Sequence, residues 1–250
     1  LEQFAKMFAL LELYGHGLNY VNDNLFFFFN NNTNKIEPML NGMDLTDKIK
    51  FPEDSFILKD WRENDPNGIY EHFFSNKDFI RFFLKNLYHT IENGEHISYL
   101  NDSREKYYRF CSIFIKRSPP LCNPNKEIDF ISKEIESKKK KYLTHGVGIN
   151  AFLEKLDPGI SVTIKIGVSK MLPIEIIHLD YNGINFPISP NDSIIDGRIA
   201  GVPMRYEIKE FPLVLEKYFD KLDVPLTLYV HYRFLGSKTL KKVLVSPIKK

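Results

Sequence analysis

The sequence predicts an α+β protein in which the helices come first and the strands come second. Apolar residues recur at helical spacing through the first part of the chain, whereas from Val162 onward they alternate with polar residues. Turn signals such as Asn182-Gly183 separate the alternating runs. Because helices followed by strands are typical of two domains, we predict a helical domain over residues 1–150 and a β-rich domain over residues 151–250.

The chain opens with a predicted buried helix that is followed by a β-hairpin. The helix is indicated by apolar and aromatic residues at helical spacing: Phe4, Met7, Phe8, Leu11 and Tyr14. Gly15 comes next, at the position where a C-cap glycine is expected. The short apolar runs that begin at Leu25 and Lys35 flank a turn of Asn and Thr. Asparagine tolerates the left-handed backbone of such a turn, so these runs predict a hairpin.

A second helix is predicted to begin near Ser75. This serine precedes Asp78 by three residues, which is the spacing of a capping box with the serine as N-cap. Asn93-Gly94 is the predicted end of the helix. One face of the helix carries large apolar residues: Phe79, Phe82, Phe83, Leu87 and Ile91.

Two more helices are predicted before the β-rich part. One runs from about Ile97 to Lys116, where two prolines break it. The other ends near Gly146 and is marked by apolar residues at helical spacing: Ile128, Ile131, Ile135 and Tyr142. Its four consecutive lysines, residues 138–141, follow two glutamates. This charge pattern favours a solvated helix face over a patch that binds an anionic surface.

The rest of the chain predicts a β-rich module of five to seven strands with the pattern of a small sandwich. The alternation is clearest in three runs: residues 162–168, 174–176 and 226–234. Val243 and Val245 close the series. The boundary between the two predicted domains falls between Tyr142 and Pro158.

Composition argues against several classes of function. The chain has 34 basic and 32 acidic residues and a net charge of +2, which is too balanced to predict a nucleic-acid partner. No apolar run approaches the ~20 residues that a membrane span needs. The two cysteines, Cys111 and Cys122, do not make a disulfide framework. Since Leu1 already reads as the middle of a domain, we expect the chain to be a piece of a longer protein.

Short motifs of common enzymes are missing from the sequence. The histidines show no H-x-x-x-H or H-E-x-x-H spacing, so a zinc site is not predicted. No serine lies in G-x-S-x-G, which argues against an α/β-hydrolase. Neither G-x-G-x-x-G nor a P-loop pattern occurs, so these 250 residues supply half of a nucleotide cleft at most.

Residues 16–44 look unlike a simple packing sequence. They contain His-Gly-Leu at 16–18, an asparagine before an aromatic strand, an Asn/Thr turn, and Glu37 followed by proline and an acidic loop. In this order they resemble the central motif of the CotH family, the protein-kinase-like proteins of bacterial spore coats. The helical region over residues 69–115 and the β-rich tail also resemble parts of this family. The resemblance implies a kinase-like C-terminal lobe, a location in the spore coat or at the cell surface, and a surface or coat protein as partner.

The chemistry of phosphoryl transfer explains why a kinase has these elements in this order. Magnesium must lie between the phosphate oxygens, and a carboxylate must accept the proton of the substrate hydroxyl. The catalytic loop of protein kinases reads H-R-D-x-x-x-x-N, and a later Asp also binds the metal. Asn19 and Asn24 have the same five-residue separation as the Asp and Asn of that loop. The resemblance therefore implies that Asn24 and Asp44 bind magnesium and that Asn24 contacts the ATP.

The sequence departs from the family pattern at two positions. Asn19 stands where the catalytic Asp would be, and Gly42 stands where the first residue of an Asp-x-Asp pair would be. An amide does not accept a proton as a carboxylate does, and glycine has no side-chain oxygen for a metal. Asp23 is the alternative base if the loop is shifted, with Asp44 taking over the metal. Glu37 is expected to brace the hairpin rather than to act in catalysis.

These observations leave three hypotheses for the function. The first is a CotH-like pseudokinase, catalytically impaired, that acts as a binding or scaffolding protein. The second is an active atypical Ser/Thr kinase that, at full length, uses ATP and magnesium through Asp23 and Asp44. The third is a cell-surface or carbohydrate-interaction module in which the β-rich tail binds the ligand. We favour the first because of Asn19 and Gly42.

Overall fold

α-Helices and antiparallel β-sheets are both present in the computed structural model, so the predicted α+β class is confirmed. The structure describes the following residues: 1–14, 25–40, 69–98, 101–102, 104–106, 124–144, 149–155, 161–168, 172–181, 183–197, 208–214 and 227–247.

The chain forms two compact units. The helical unit comprises Leu1–Tyr70 and Lys85–His145, and the sheet unit comprises Glu71–Leu84 and Gly146–Lys250. A short helical stretch early in the chain is therefore part of the sheet unit. The domain division predicted at residues 150 and 151 stays a prediction.

Three of the helices and the hairpin form where periodicity and turn residues predict them, whereas neither signal predicts the six-residue helix Ile69–Phe74. The longer helices of the described residues are α1 (Glu2–Tyr14), α2 (Ile69–Phe74), α3 (Lys77–Asn93) and α4 (Pro124–Thr144). The hairpin strands are β1 (Leu25–Asn30) and β2 (Lys35–Leu40), which pair antiparallel. Gly94 has the left-handed backbone (φ 69°) that ends α3, as predicted from Asn93-Gly94. Of the helix predicted from Ile97 to Lys116, most lies outside the described residues.

The core of the helical unit is built from apolar faces of α1, α4 and the part of α3 that follows Leu84. α1 packs against β2 and against α4. The fully buried side chains of this core include Phe8, Leu11, Leu13, Leu87, Tyr88, Ile91, Ile135 and Tyr142. No helix in the described part of the chain is long and apolar enough to cross a membrane.

The start of α3 differs from the prediction in its capping residue. Asn76, not Ser75, is the N-cap, because its Oδ1 accepts a hydrogen bond of 3.0 Å from the backbone N–H of Phe79. The Ser75 hydroxyl instead donates to the carbonyl of His72 in α2 (3.1 Å). The buried face of α3 is also wider than predicted: Phe82 is only half-buried, whereas Ile80 and Leu84 are buried.

The sheet unit has nine strands among its described residues, rather than five to seven. They are β3 (Ile149–Lys155), β4 (Ser161–Val168), β5 (Ile174–Tyr181), β6 (Ile184–Pro187), β7 (Ile194–Ile195), β8 (Ile208–Val214), β9 (Leu228–Phe234), β10 (Lys241–Leu244) and β11 (Ser246–Pro247). The extra strands are mostly short ones. Two to four residues are too few to show an alternating pattern, which is why the sequence does not reveal them.

The nine strands form two sheets. One has the order β10-β9-β5-β6, with β7 also paired to β5, and the other has the order β11-β3-β4-β8. Every pairing is antiparallel except that of β11 with β3. β8 contains Pro212 and lies at an edge of its sheet, where the missing N–H of proline is tolerated. Between β10 and β11 the chain changes sheets through a single residue, the buried Val245.

The stretch 71–84 is fastened to the sheet unit by an ion pair. Asp196 lies just after β7 and is 6% exposed. Arg81 on α3 donates two hydrogen bonds to its carboxylate (2.6 and 2.8 Å), and the Lys77 Nζ lies 3.3 Å away. This bidentate geometry is the strongest that an arginine and a carboxylate form.

Candidate functional site

The hairpin is closed by a network of polar side chains around its turn. The Oδ1 of Asn30 accepts hydrogen bonds from the backbone N–H groups of Asn32 (3.0 Å) and Thr33 (3.4 Å). The Oε1 of Glu37 accepts from the Asn30 amide (2.9 Å) and from the Thr33 hydroxyl (3.0 Å). Asn34 has the left-handed backbone that the turn requires (φ 52°). Glu37 thus braces the hairpin, as expected from the sequence.

The other end of the hairpin is held by α1 and by the strand register. Leu25 pairs directly with Leu40, so the segments before β1 and after β2 are attached at the same end of the hairpin. Phe4 of α1 lies against Phe27 of β1, with 5.5 Å between ring centroids. Helix and hairpin therefore form one packed frame.

All residues predicted to carry phosphotransfer chemistry lie outside the described residues. These residues are Asn19, Asp23, Asn24 and Asp44, and the same holds for His16 and Gly42. Their predicted roles as base, nucleotide contact and metal ligands stay predictions. What the structure describes is the frame to which both segments are attached.

A buried polar cluster joins α4 to the last turn of α1. Lys138 is 4% exposed, and its Nζ donates to the main-chain carbonyl of Glu12 (2.8 Å). The predicted solvated face is therefore wrong for this lysine, although Lys140 and Lys141 are exposed. The carbonyls of the last helical turn lack partners within the helix, and a lysine that bonds one of them also complements the helix dipole.

Tyr142 completes this cluster one helical turn after Lys138. Its hydroxyl donates a hydrogen bond to the buried carboxylate of Glu12. The i,i+4 spacing on α4 places both donors on one face, so they meet the same residue of α1. Tyr88 of α3 contributes a hydroxyl that donates to the carbonyl of Tyr142 (3.4 Å). Burial, and secondarily the charge of Glu92, raises the pKa of Tyr88 well above its usual range.

The five-stranded sheet carries a pair of histidines on its central strands. His178 on β5 lies directly opposite His231 on β9, and their rings stack with 4.2 Å between centroids. The Oδ2 of Asp180 lies 3.7 Å from the Nε2 of His231. Burial is the main cause that lowers the pKa of His178, followed by His231, while Asp180 opposes the shift. These are the two histidines that the described strands contain.

The geometry of these histidines does not form a metal centre. No group of three or more His, Cys, Asp or Glu side chains in the described residues could hold a metal ion. The rings of His178 and His231 are within 19° of parallel, so their nitrogen lone pairs do not converge on one point. Two other described histidines lie near glutamates: His89 is 3.0 Å from Glu95, and His96 is 3.6 Å from Glu136.

Sequence reasoning missed both polar clusters. A signal for Lys138 and Tyr142 was present, since they share the face of α4 that carries the apolar pattern. His178 and His231 both occupy outward positions of alternating strands. The register that pairs them cannot be predicted from the sequence of either strand alone.

The chain was compared with protein-family models and with curated protein sequences. No protein-family model matches the chain, and no curated protein sequence matches it.

Proposed function

We propose that this chain is part of a CotH-type, kinase-like protein that is catalytically impaired and acts as a binding or scaffolding protein. A surface or coat protein is the partner that the resemblance implies. ATP and magnesium would be its ligands only if the site retains activity through Asp23 and Asp44. The observation that carries the proposal is the packed frame of α1 and the hairpin.

This frame supports the proposal through its order and attachment points. In a protein kinase a helix precedes the catalytic loop, and a hairpin links that loop to the metal-binding loop. Here α1 ends at Tyr14, and the hairpin spans Leu25 to Leu40 with both ends paired. The segments that contain Asn24 and Asp44 directly precede and follow this hairpin in the sequence, and the resemblance implies that these two residues share a magnesium ion.

The role of Glu37 supports the impaired form of the site. Its Oε1 accepts two hydrogen bonds inside the hairpin, which commits this carboxylate to structure. The remaining candidates must supply the base, and an amide at Asn19 is a poor one. The hairpin also exposes Phe27, Phe29 and Ile36 on one face, and exposed apolar surface of this kind is typical of interaction sites.

The proposal is tested by restoring the two missing carboxylates. Mg-ATP binding to the full-length protein is measured by titration calorimetry for the wild type and for the double variant N19D/G42D. We expect no measurable binding by the wild type. In the variant we expect binding to become measurable, with an affinity about tenfold or more above the detection limit, which corresponds to about 1.4 kcal/mol. The control N31D/N32D adds the same two charges to the exposed hairpin turn and should leave binding unchanged.

Each other outcome has a distinct meaning. If the wild type binds Mg-ATP and phosphorylates itself, and Asp44→Ala abolishes both, the site is active and the impaired assignment is wrong. If N19D/G42D gains no more than N31D/N32D, the kinase-like assignment of residues 16–44 is contradicted.

A further inference from the structure

The middle of the five-stranded sheet is held by a strand pair that carries two facing imidazoles. β5 and β9 are the central neighbours in the order β10-β9-β5-β6. His178 and His231 are register partners, and their ring centroids are 4.2 Å apart. Because the backbone register sets this distance, the rings separate only if a side chain changes rotamer or the strands open.

Hydrogen bonding to His231 is incomplete in this arrangement. Its Nε2 is enclosed by protein and has no hydrogen-bond partner. The Asp180 Oδ2, at 3.7 Å, is within ion-pair range but too far for a hydrogen bond. A proton on His231 would give this carboxylate an opposite charge to pair with. One positive charge on the histidine pair is therefore tolerated.

A second positive charge has no such partner in the described surroundings. On β10, Lys242 is the register partner of His231 and adds a positive charge, with its Nζ 4.9 Å from the Tyr229 ring. Further along β5 and β9, Glu175 and Arg233 neutralise each other in an ion pair of 2.7 Å.

The neighbouring strands do not change this balance. β6 faces the pair with Pro187 opposite His178 and Asn185 opposite Asp180, and none of its residues titrates near neutral pH. β7 pairs with β5 at Ile174 and Glu175, away from the histidines. Asp180 is thus the one carboxylate near the pair, among the described residues, that is not already matched by an arginine.

We propose that His178 and His231 form an acid-sensitive latch, which holds the β5–β9 pair closed with one proton or none and loosens it when both imidazoles are charged. Two like charges on stacked rings repel each other, and opening the strands relieves this repulsion. Histidine is the side chain whose ordinary pKa places this change between pH 5 and 8. The latch is independent of any phosphotransfer activity.

The first test is the titration of the two histidines by NMR in the whole chain. We expect the pKa of His178 to lie below its ordinary value, because burial and the neighbouring His231 both lower it. His231→Gln should raise the pKa of His178 toward its ordinary value, and Asp180→Asn should lower it further. A pKa of His178 that is the same in the wild type and in both variants would overturn the coupling.

The second test measures strand opening by hydrogen exchange at pH 7 and pH 5, corrected for the intrinsic pH dependence of exchange. In the wild type, the opening equilibrium measured for peptides that cover β5 and β9 should increase on acidification relative to that for β4, because a second positive charge on the pair favours the open strands. His178→Gln and His231→Gln should each remove this gain. His72→Gln, an exposed histidine of the same unit, should keep it. An equal response of all four proteins would refute the latch.

Discussion

Lys138 and Lys140 show how differently two neighbouring lysines behave. Both belong to the same run of four, yet Lys138 is buried against the last turn of α1 while Lys140 is exposed. Burial of an ammonium group is costly unless its donors find acceptors. The Glu12 carbonyl provides one, in a cluster that also contains the buried Glu12 carboxylate.

Replacing Lys138 by methionine should therefore destabilise the protein. Methionine retains the apolar stem but leaves a helix-terminal carbonyl without the donor that Lys138 provides. We expect a loss of about 1–3 kcal/mol in the free energy of unfolding. The measurement is urea denaturation, and K140M is the matched control, with an expected change within about 0.5 kcal/mol. Equal effects of the two variants would contradict the buried role of Lys138.

At the scale of an element, α3 illustrates how a helix selects its start. Two polar residues, Ser75 and Asn76, stand before its first turn, and either is a good N-cap by composition. Asn76 caps the helix because the Ser75 hydroxyl, one residue after α2, donates to the His72 carbonyl of that helix instead. The short connection between the two helices decides which residue is free to cap.

Asn76→Ala and Ser75→Ala distinguish these two assignments. Loss of the true N-cap costs about 1 kcal/mol, because one N–H of the first turn loses its acceptor. We expect this cost for N76A, and a change within about 0.5 kcal/mol for the exposed Ser75. Chemical denaturation of the two variants under the same conditions provides the comparison. A larger loss for S75A would restore the capping box predicted from the sequence.

For the molecule as a whole, the two units have separate sets of stabilising polar contacts. Lys138 and Tyr142 hold Glu12 within the helical unit, while Arg81 holds Asp196 within the sheet unit. Multidomain chains commonly depart from two-state unfolding, so a single unfolding temperature would describe this protein poorly. A local readout is needed to see the contribution of each contact.

Hydrogen exchange should assign each of these contacts to its own unit. Asp196→Asn leaves Arg81 without its carboxylate, and we expect the free energy of unfolding of the sheet unit to fall by about 2–3 kcal/mol. This loss is smaller than that for a fully buried pair, because Arg81 is 34% exposed. Protection should fall in β5 and β7 for D196N, and in α1 and α4 for K138M. Asp192→Asn, which changes an exposed carboxylate of the same unit, is the control and should leave protection unchanged.

The sequence by itself determined the elements whose signals are local. α1, α4 and the hairpin follow from helical periodicity, a glycine after the helix, and an Asn/Thr turn between two short apolar runs. Even the bracing role of Glu37 involves partners only a few residues away. Helix and turn hydrogen bonds join near neighbours in the chain, so the residues that make them are read together.

Only the tertiary structure decided which distant residues meet. His178 faces His231, Arg81 finds Asp196, and Lys138 reaches the end of α1. None of these partners can be identified from its own segment, because strand register and helix packing are set by burial of whole faces rather than by any one residue. For the same reason a lysine run that indicates solvent exposure can contain a buried member.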